Sequence, residues 1–142
     1  MLISDILRSK GDSVVTTRPD VTIRQLLADL VSNNIGALVV SGNGRTIEGI
    51  VSERDIVRQL HEHGAGALDL PVSSAMTVDV LTCGLDDNGD DLRPTMIDHR
   101  IRHLPVVRDG ELAGIVSIGD VVKSAISELE TDREQLLGYI HG

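Results

Sequence analysis

The chain is almost without aromatic residues. Its 142 residues hold no tryptophan, no phenylalanine and one tyrosine, Tyr139. Stacking of bases on aromatic side chains is therefore a poor basis for nucleic-acid binding. Cys83 is the single cysteine, which excludes an intramolecular disulfide and a zinc site built on cysteines. Positive charge is scarce too: 13 Lys and Arg stand against 22 Asp and Glu, a formal net charge of −9. Nucleic acids and anionic membranes call for a positive face, so neither is expected as a partner. No apolar run approaches the roughly 18 residues of a membrane span. Met1-Leu2-Ile3-Ser4-Asp5 lacks the basic stretch and apolar core of a signal peptide. The expectation is a soluble, cytoplasmic protein.

What is present is aliphatic and repeated. The hydrophobic fraction is 41%, and a chain of this length can bury roughly two-thirds of its unfolded surface. Gly49-Ile50-Val51-Ser52-Glu53-Arg54-Asp55-Ile56-Val57 returns as Gly114-Ile115-Val116-Ser117-Ile118-Gly119-Asp120-Val121-Val122, 65 residues later. Ile35-Gly36-Ala37-Leu38-Val39-Val40 returns as Ile101-Arg102-His103-Leu104-Pro105-Val106, offset by 66. The period is too long for a solenoid unit and fits a small α/β unit used twice. Two such units are expected to pack about a pseudo-two-fold axis, leaving two related clefts of the kind that bind small molecules.

The local pattern gives each copy the order β-α-β-β-α. A short helix is expected over Ser4–Ser9 and a strand over Ser13–Thr17. Ile23, Leu26, Leu27, Leu30 and Val31 have amphipathic helical spacing after a capping Thr22. Ala37–Ser41 and Thr46–Ser52 form a hairpin around Gly42-Asn43-Gly44-Arg45. A helix follows from Ser52 to about Glu62. In the second copy a strand is expected over Val80–Cys83, a hairpin over Ile101–Val107 and Leu112–Ser117, and a helix over Ser117–Leu129. That helix continues to a stop near Gly138. Gly89 and Pro94 are unfavourable in a helix interior, so the first helix of this copy is expected late, starting between Asp90 and Pro94 and ending near His99. The boundaries read as 1–63 for the first repeat, 64–70 for a flexible linker, 71–129 for the second repeat and 130–142 for a helical extension.

Ser52-x-x-Asp55 and Ser117-x-x-Asp120 each follow a strand and open a helix. Each can act as a capping box, with hydroxyl and carboxylate satisfying first-turn N–H groups. The same junction also suits phosphate, and a carboxylate there can accept hydrogen bonds from both hydroxyls of a ribose.

Taken together, these residues resemble a tandem pair of CBS (cystathionine-β-synthase) domains, a stand-alone Bateman module. The matching features are Ile35–Val40, Gly49–Asp55, Met76-Thr77, His99–Val106 and Gly114–Asp120, which span nearly the whole chain. The resemblance implies two β-α-β-β-α halves and clefts for adenosine nucleotides, with AMP foremost and ATP, ADP, NAD or S-adenosylmethionine also accommodated. It implies ribose contacts at Asp55 and Asp120, with Ser52 and Ser117 near ribose and phosphate. It places Ala37 and the His103-Leu104-Pro105 segment along the adenine pocket. Arg54, Arg100 and Arg102 are the candidates for phosphate. Gly119 stands where the first copy has Arg54, so the two clefts should differ. The disc shape of the family, with helix faces that one module leaves uncovered, implies a homodimer.

Other chemistry finds less support. His99 and His103, at i and i+4, could share a metal only on one helix, and Leu104-Pro105 starts a strand. His61 and His63 suit the negative end of a helix dipole. The Asp86–Asp91 run lacks the order of a calcium loop, and Cys83 reads as a packing residue. No nucleophile elbow, P-loop or dinucleotide fingerprint is present, so an enzyme is not expected. The expectation is a regulatory module sensing adenosine nucleotides. The alternative is a protein–protein interaction module with vestigial sites, acting on a target protein.

Overall fold

The computed structural model describes residues 1–141. The elements run α1 (Ile3–Lys10), β1 (Thr16–Thr17), α2 (Ile23–Asn33), β2 (Ala37–Val40), β3 (Gly49–Ser52) and α3 (Glu53–His63). Two 3-10 helices follow, Gly64–Asp69 and Val72–Ser74. Then come β4 (Cys83–Gly84), α4 (Gly89–Asp98), β5 (His103–Arg108), β6 (Glu111–Ser117) and α5 (Ile118–His141). Each repeat therefore has the β-α-β-β-α order. Each also forms a three-stranded sheet, β1-β2-β3 and β4-β5-β6. The first strand pairs parallel to the second in both: Thr16 with Val39, and Cys83 with Val106.

The chain divides into two compact units that cut across the linear repeats. The first unit is Val14–Leu81 with Asp109–Leu112; the second is Met1–Ser13, Thr82–Arg108 and the chain from Ala113. The lead segment of each repeat thus belongs to the other repeat's unit. The sequence carries a trace of this: Ile3-Ser4-Asp5-Ile6-Leu7 returns as Val72-Ser73-Ser74-Ala75-Met76. Ile3 and Val72 are both fully buried, in separate cores.

The backbone repeats the arrangement bond by bond. In the second unit Ile3 N–H donates to Asp87 O at 2.9 Å and Gly89 N–H to Met1 O at 2.9 Å. In the first, Val72 N–H donates to Val21 O at 2.8 Å and Ile23 N–H to Leu70 O at 2.9 Å. The Ile3 bond, with Ser4 N–H to Leu85 O at 3.0 Å, satisfies the start of α1, which has no side-chain cap. The core of the second unit gathers Ile3, Ile6 and Leu7 with Cys83, Met96, Leu104, Val106, Val116 and Val121. The first gathers Ile23, Leu26, Leu30, Leu38, Val40, Val51, Ile56 and Val72.

The glycine heading the repeated block is where the lead segment lies closest. A Cβ on Gly49 would sit 2.8 Å from both Met76 Sδ and Thr77 O. One on Gly114 would sit 2.7 Å from Leu7 Cδ1. Ile50 and Thr77 exchange backbone hydrogen bonds of 3.0 and 2.8 Å across the first of these approaches.

Several elements differ from expectation. α4 begins at Gly89, not later, because Asn88 caps it through Asp90 N–H at 3.0 Å and Met1 O accepts from Gly89. Pro94 lies inside that helix, on its exposed side. The first strands of both copies are shorter than expected, with two residues each, and Val80-Leu81 precedes β4 rather than forming it. The 64–70 segment is largely a 3-10 helix with Ala67 buried, a packed connection in place of a flexible linker. α5 runs through Gly138 to His141. Both copies end their first helix alike, with Asn34 and Arg100 left-handed at φ 52° and 55°. The next N–H groups reach back to Leu30 O and Met96 O, at 3.1 and 2.8 Å.

Candidate functional site

Each unit holds one copy of the strand-to-helix junction. In the first, Ala37 at the start of β2 pairs directly with Ser52 at the end of β3. Glu53 N–H, the first of α3, donates to Gly36 O at 3.0 Å, which ties the helix start to the start of the central strand. Ser52 is the helix cap. Its N–H and hydroxyl donate to Asp55 Oδ2 at 2.8 and 3.1 Å, and Asp55 N–H donates to Ser52 Oγ at 3.4 Å. This is the expected capping box, and it fixes the carboxylate. The Asp55 side chain is only 14% exposed, with Arg58 Nη1 3.9 Å from its Oδ1. Arg54, in the first turn of α3, is exposed.

The second unit repeats the construction. Ile118 N–H donates to Arg102 O at 2.8 Å, setting the start of α5 against the start of β5. Ser117 N–H donates to Asp120 Oδ2 at 2.8 Å, and Asp120 N–H donates to Ser117 Oγ at 3.1 Å. Here a third group intervenes. Lys10 Nζ, at the end of α1, lies 2.5 Å from Asp120 Oδ2. Burial raises the Asp120 pKa, but the hydrogen bonds from Lys10 and Ser117 and the Lys10 charge outweigh it and hold the carboxyl below its ordinary value. The two junctions thus differ in their cations: a loosely placed arginine on the same helix in one, and a tight lysine from the lead segment in the other. Lys10 escaped the sequence reading because it lies 110 residues from its partner, and only the exchange of lead segments brings them together.

The other expected residues distribute between the units. Ala37, Ser52, Arg54 and Asp55 lie in the first; Arg100, Arg102, His103, Pro105, Ser117 and Asp120 lie in the second. Arg100 and Arg102 are exposed on the turn into β5, His103 is half-buried and Pro105 is buried on the strand. His99 caps α4, its Nδ1 3.0 Å from Thr95 O, while His103 lies on β5. The pair therefore does not share a helix. Among the described residues no group of three or more His, Cys, Asp and Glu side chains is placed to hold a metal ion. Cys83 is buried, which with Asp87 pushes its thiol up to about 12, in keeping with a packing role. An open cavity of about 400 Å³ on the second unit, between α1 and the β5–β6 hairpin, is lined by Ser4, Arg8, Arg108 and Ala113 among others. It includes none of the expected site residues. No described helix is long and apolar enough to cross a membrane.

The doubled α/β chain has counterparts among known proteins. The CBS domain family model matches the chain twice, over residues 3–62 and 72–127. The chain belongs to the CBS-domain family. It is 34% identical to the mitochondrial CBS domain-containing protein CBSX3 of Arabidopsis thaliana, over 99% of this chain and 72% of that one. The crystal structure of a CBS-domain containing protein from Agrobacterium tumefaciens superimposes with a TM-score of 0.85 at 43% identity, covering 88% of this chain and 99% of that one. The CBS domain pair of protein MJ0100, in complex with 5-methylthioadenosine and S-adenosyl-L-methionine, superimposes with a TM-score of 0.78 at 25% identity, covering 90% and 98%. The fold is thus a CBS pair, with a short N-terminal helix and a long C-terminal one.

Proposed function

We propose that this CBS pair is a regulatory module that binds an adenosine-type ligand at the Ser52–Asp55 and Ser117–Asp120 junctions. The observation that carries the reading is the fixed carboxylate at each junction. Capping explains one oxygen of Asp55, Oδ2, whereas Oδ1 has Arg58 Nη1 at 3.9 Å. A vicinal diol can donate to such an oxygen, and the helix N-terminus favours a phosphate or carboxylate beyond it. The adenosine moieties bound by the MJ0100 domain pair support the same ligand class. AMP is the first candidate, followed by ATP, ADP, NAD and S-adenosylmethionine. Ala37 and the His103–Pro105 strand start would line the base, and Arg54, Arg100 and Arg102 would meet phosphate. At the second junction Lys10 and Ser117 both donate to Asp120 Oδ2, and the lysine brings a cation that the first junction holds only loosely, so the two sites should differ in affinity and in charge preference. Binding would regulate by stabilising one arrangement of the protein over another. The module is proposed as non-catalytic and cytoplasmic.

The test is thermal unfolding of ligand-stripped protein with AMP, ADP, ATP, NAD, S-adenosylmethionine and methylthioadenosine. Asp55→Asn and Asp120→Asn are run beside the parent, each against its own ligand-free Tm. A ligand at about 100 times its Kd adds roughly 2.7 kcal/mol, a rise of several degrees. A rise abolished by one Asn change identifies the working site. No rise with any of the six overturns the adenosine reading and leaves the interaction-module alternative.

A further inference from the structure

The cavity of about 400 Å³ on the second unit takes no part in either junction. Its size falls in the range of small-molecule sites, about 300–1,000 Å³. α1 forms one wall and crosses the sheet as it does so. At its start Ser4 N–H donates to Leu85 O, just past β4. Further along, Leu7 packs on Gly114 of β6. Ser4, Leu7, Arg8 and Gly11 fall at i, i+3, i+4 and i+7, so one face of the helix lines the cavity. The opposite wall takes one residue from each strand: Leu85 after β4, Arg108 at the end of β5 and Ala113 on β6. Gly11, at φ 103°, turns the chain off the helix, and Asp12 closes that end.

We propose that this cavity binds a free aliphatic α-amino acid of the leucine type. The guanidinium groups of Arg8 and Arg108 take its carboxylate, a charge-assisted pairing that suits the planar fork of arginine. Arg8 Nη1 lies 3.3 Å from Asp5 Oδ1, which engages one of five N–H donors and leaves the rest for a ligand. Asp12, one helical turn beyond Arg8, takes the ammonium group. Leu7, Leu85 and Ala113 cover the branched aliphatic side chain. The charge balance selects the zwitterion. Arg8 and Arg108 are matched by Asp5 and Asp12, while the whole chain carries −9. A simple anion meets Asp12 and the acidic field of the protein. A simple cation meets two arginines. A ligand with both charges and no net charge avoids both penalties. The site is separate from the two junctions, and Asp120 has no part in it.

Isothermal titration calorimetry of the full chain with L-leucine should give a Kd below about 1 mM. Isocaproate lacks the ammonium group, isoamylamine lacks the carboxylate, and inorganic phosphate lacks the aliphatic body. Each should bind at least about tenfold more weakly than leucine. Arg8→Gln with Arg108→Gln should weaken leucine by at least about tenfold, and so should Asp12→Asn. The Asp12 change should leave isocaproate binding no weaker, because it removes a repelling charge. Asp120→Asn should leave leucine binding unchanged. The comparison of the four ligands on the parent protein stands whatever the variants do to the fold. No leucine binding at about 10 mM, isocaproate or phosphate binding as tightly as leucine, or leucine binding lost with Asp120→Asn and kept with the double arginine change would each overturn the proposal.

Discussion

The contact between Lys10 and Asp120 is the clearest residue-scale difference between the two halves. Asp120 is held below its ordinary pKa. An acid depressed in the fold contributes stability above its unfolded pKa, about 3.9. That contribution is lost as the pH falls through the lower folded value. Lys10→Met should therefore raise the Asp120 pKa in an NMR titration and cost less than about 1 kcal/mol at pH 7, since the pair is partly exposed. The cost should vanish in strong acid, where Asp120 is protonated in both proteins. An Asp120 pKa unmoved by the change would show that Ser117 alone holds it. The repeated glycines make a second residue-scale contrast. At Gly49 an added methyl meets a backbone oxygen, Thr77 O, which is held by the Ile50–Thr77 bonds. At Gly114 it meets the end of a flexible Leu7 side chain. Gly49→Ala should cost about 2–3 kcal/mol and Gly114→Ala about 1 kcal/mol. Denaturant titration giving equal losses would mean that the Met76-Thr77 segment shifts as readily as a leucine.

Among the elements, α4 is where local propensity and tertiary context disagree. The residues argue for a late start because Gly89 and Pro94 are poor helix formers. The fold starts the helix at Gly89, since Asn88 caps it and Met1 O receives the Gly89 N–H, as Leu70 O receives that of Ile23 in the first copy. The second copy thus keeps the helix frame of the first and tolerates unfavourable residues in it. These residues should be improvable. A Cβ at Gly89 would meet Ile6, Met1 O and Val121 at 3.5 Å, ordinary contact distances. Gly89→Ala should stabilise by about 0.5 kcal/mol, and Pro94→Ala by about 1 kcal/mol or more through the restored helix N–H. A loss of stability in either would mean that the strain is needed for packing against α1. The long α5 was legible to its end only in part. Gly138 suggested a stop, but a lone glycine costs a helix only about 1 kcal/mol.

For the whole molecule, the repeats, the strand–helix order and the two Ser-x-x-Asp junctions were legible because they are local and doubled. The division into units was not. Ile3, Ile6 and Leu7 have helical spacing but nothing in it names their partner, and they pack on residues some 80 to 120 positions away. The missed Lys10–Asp120 contact follows from the same exchange. Its consequence is a specific dependence of the second half on the first eleven residues. Burying three large aliphatic side chains contributes about 1.5–3 kcal/mol each, together comparable to the whole stability of a small domain. Removal of residues 1–11 should therefore unfold the second unit while the first, whose lead segment Val72–Thr77 is intact, keeps its structure. Amide hydrogen exchange is the measurement. Protection should be lost in Leu104–Val106 and Val116–Val121 and retained in Leu38–Val40 and Leu26–Leu30. A synthetic peptide of residues 1–13, added in trans, should restore protection to the second unit in a concentration-dependent way. If both units melt together, the lead segments couple them into one cooperative fold; if neither loses protection, the burial of Ile3, Ile6 and Leu7 is dispensable to the second core.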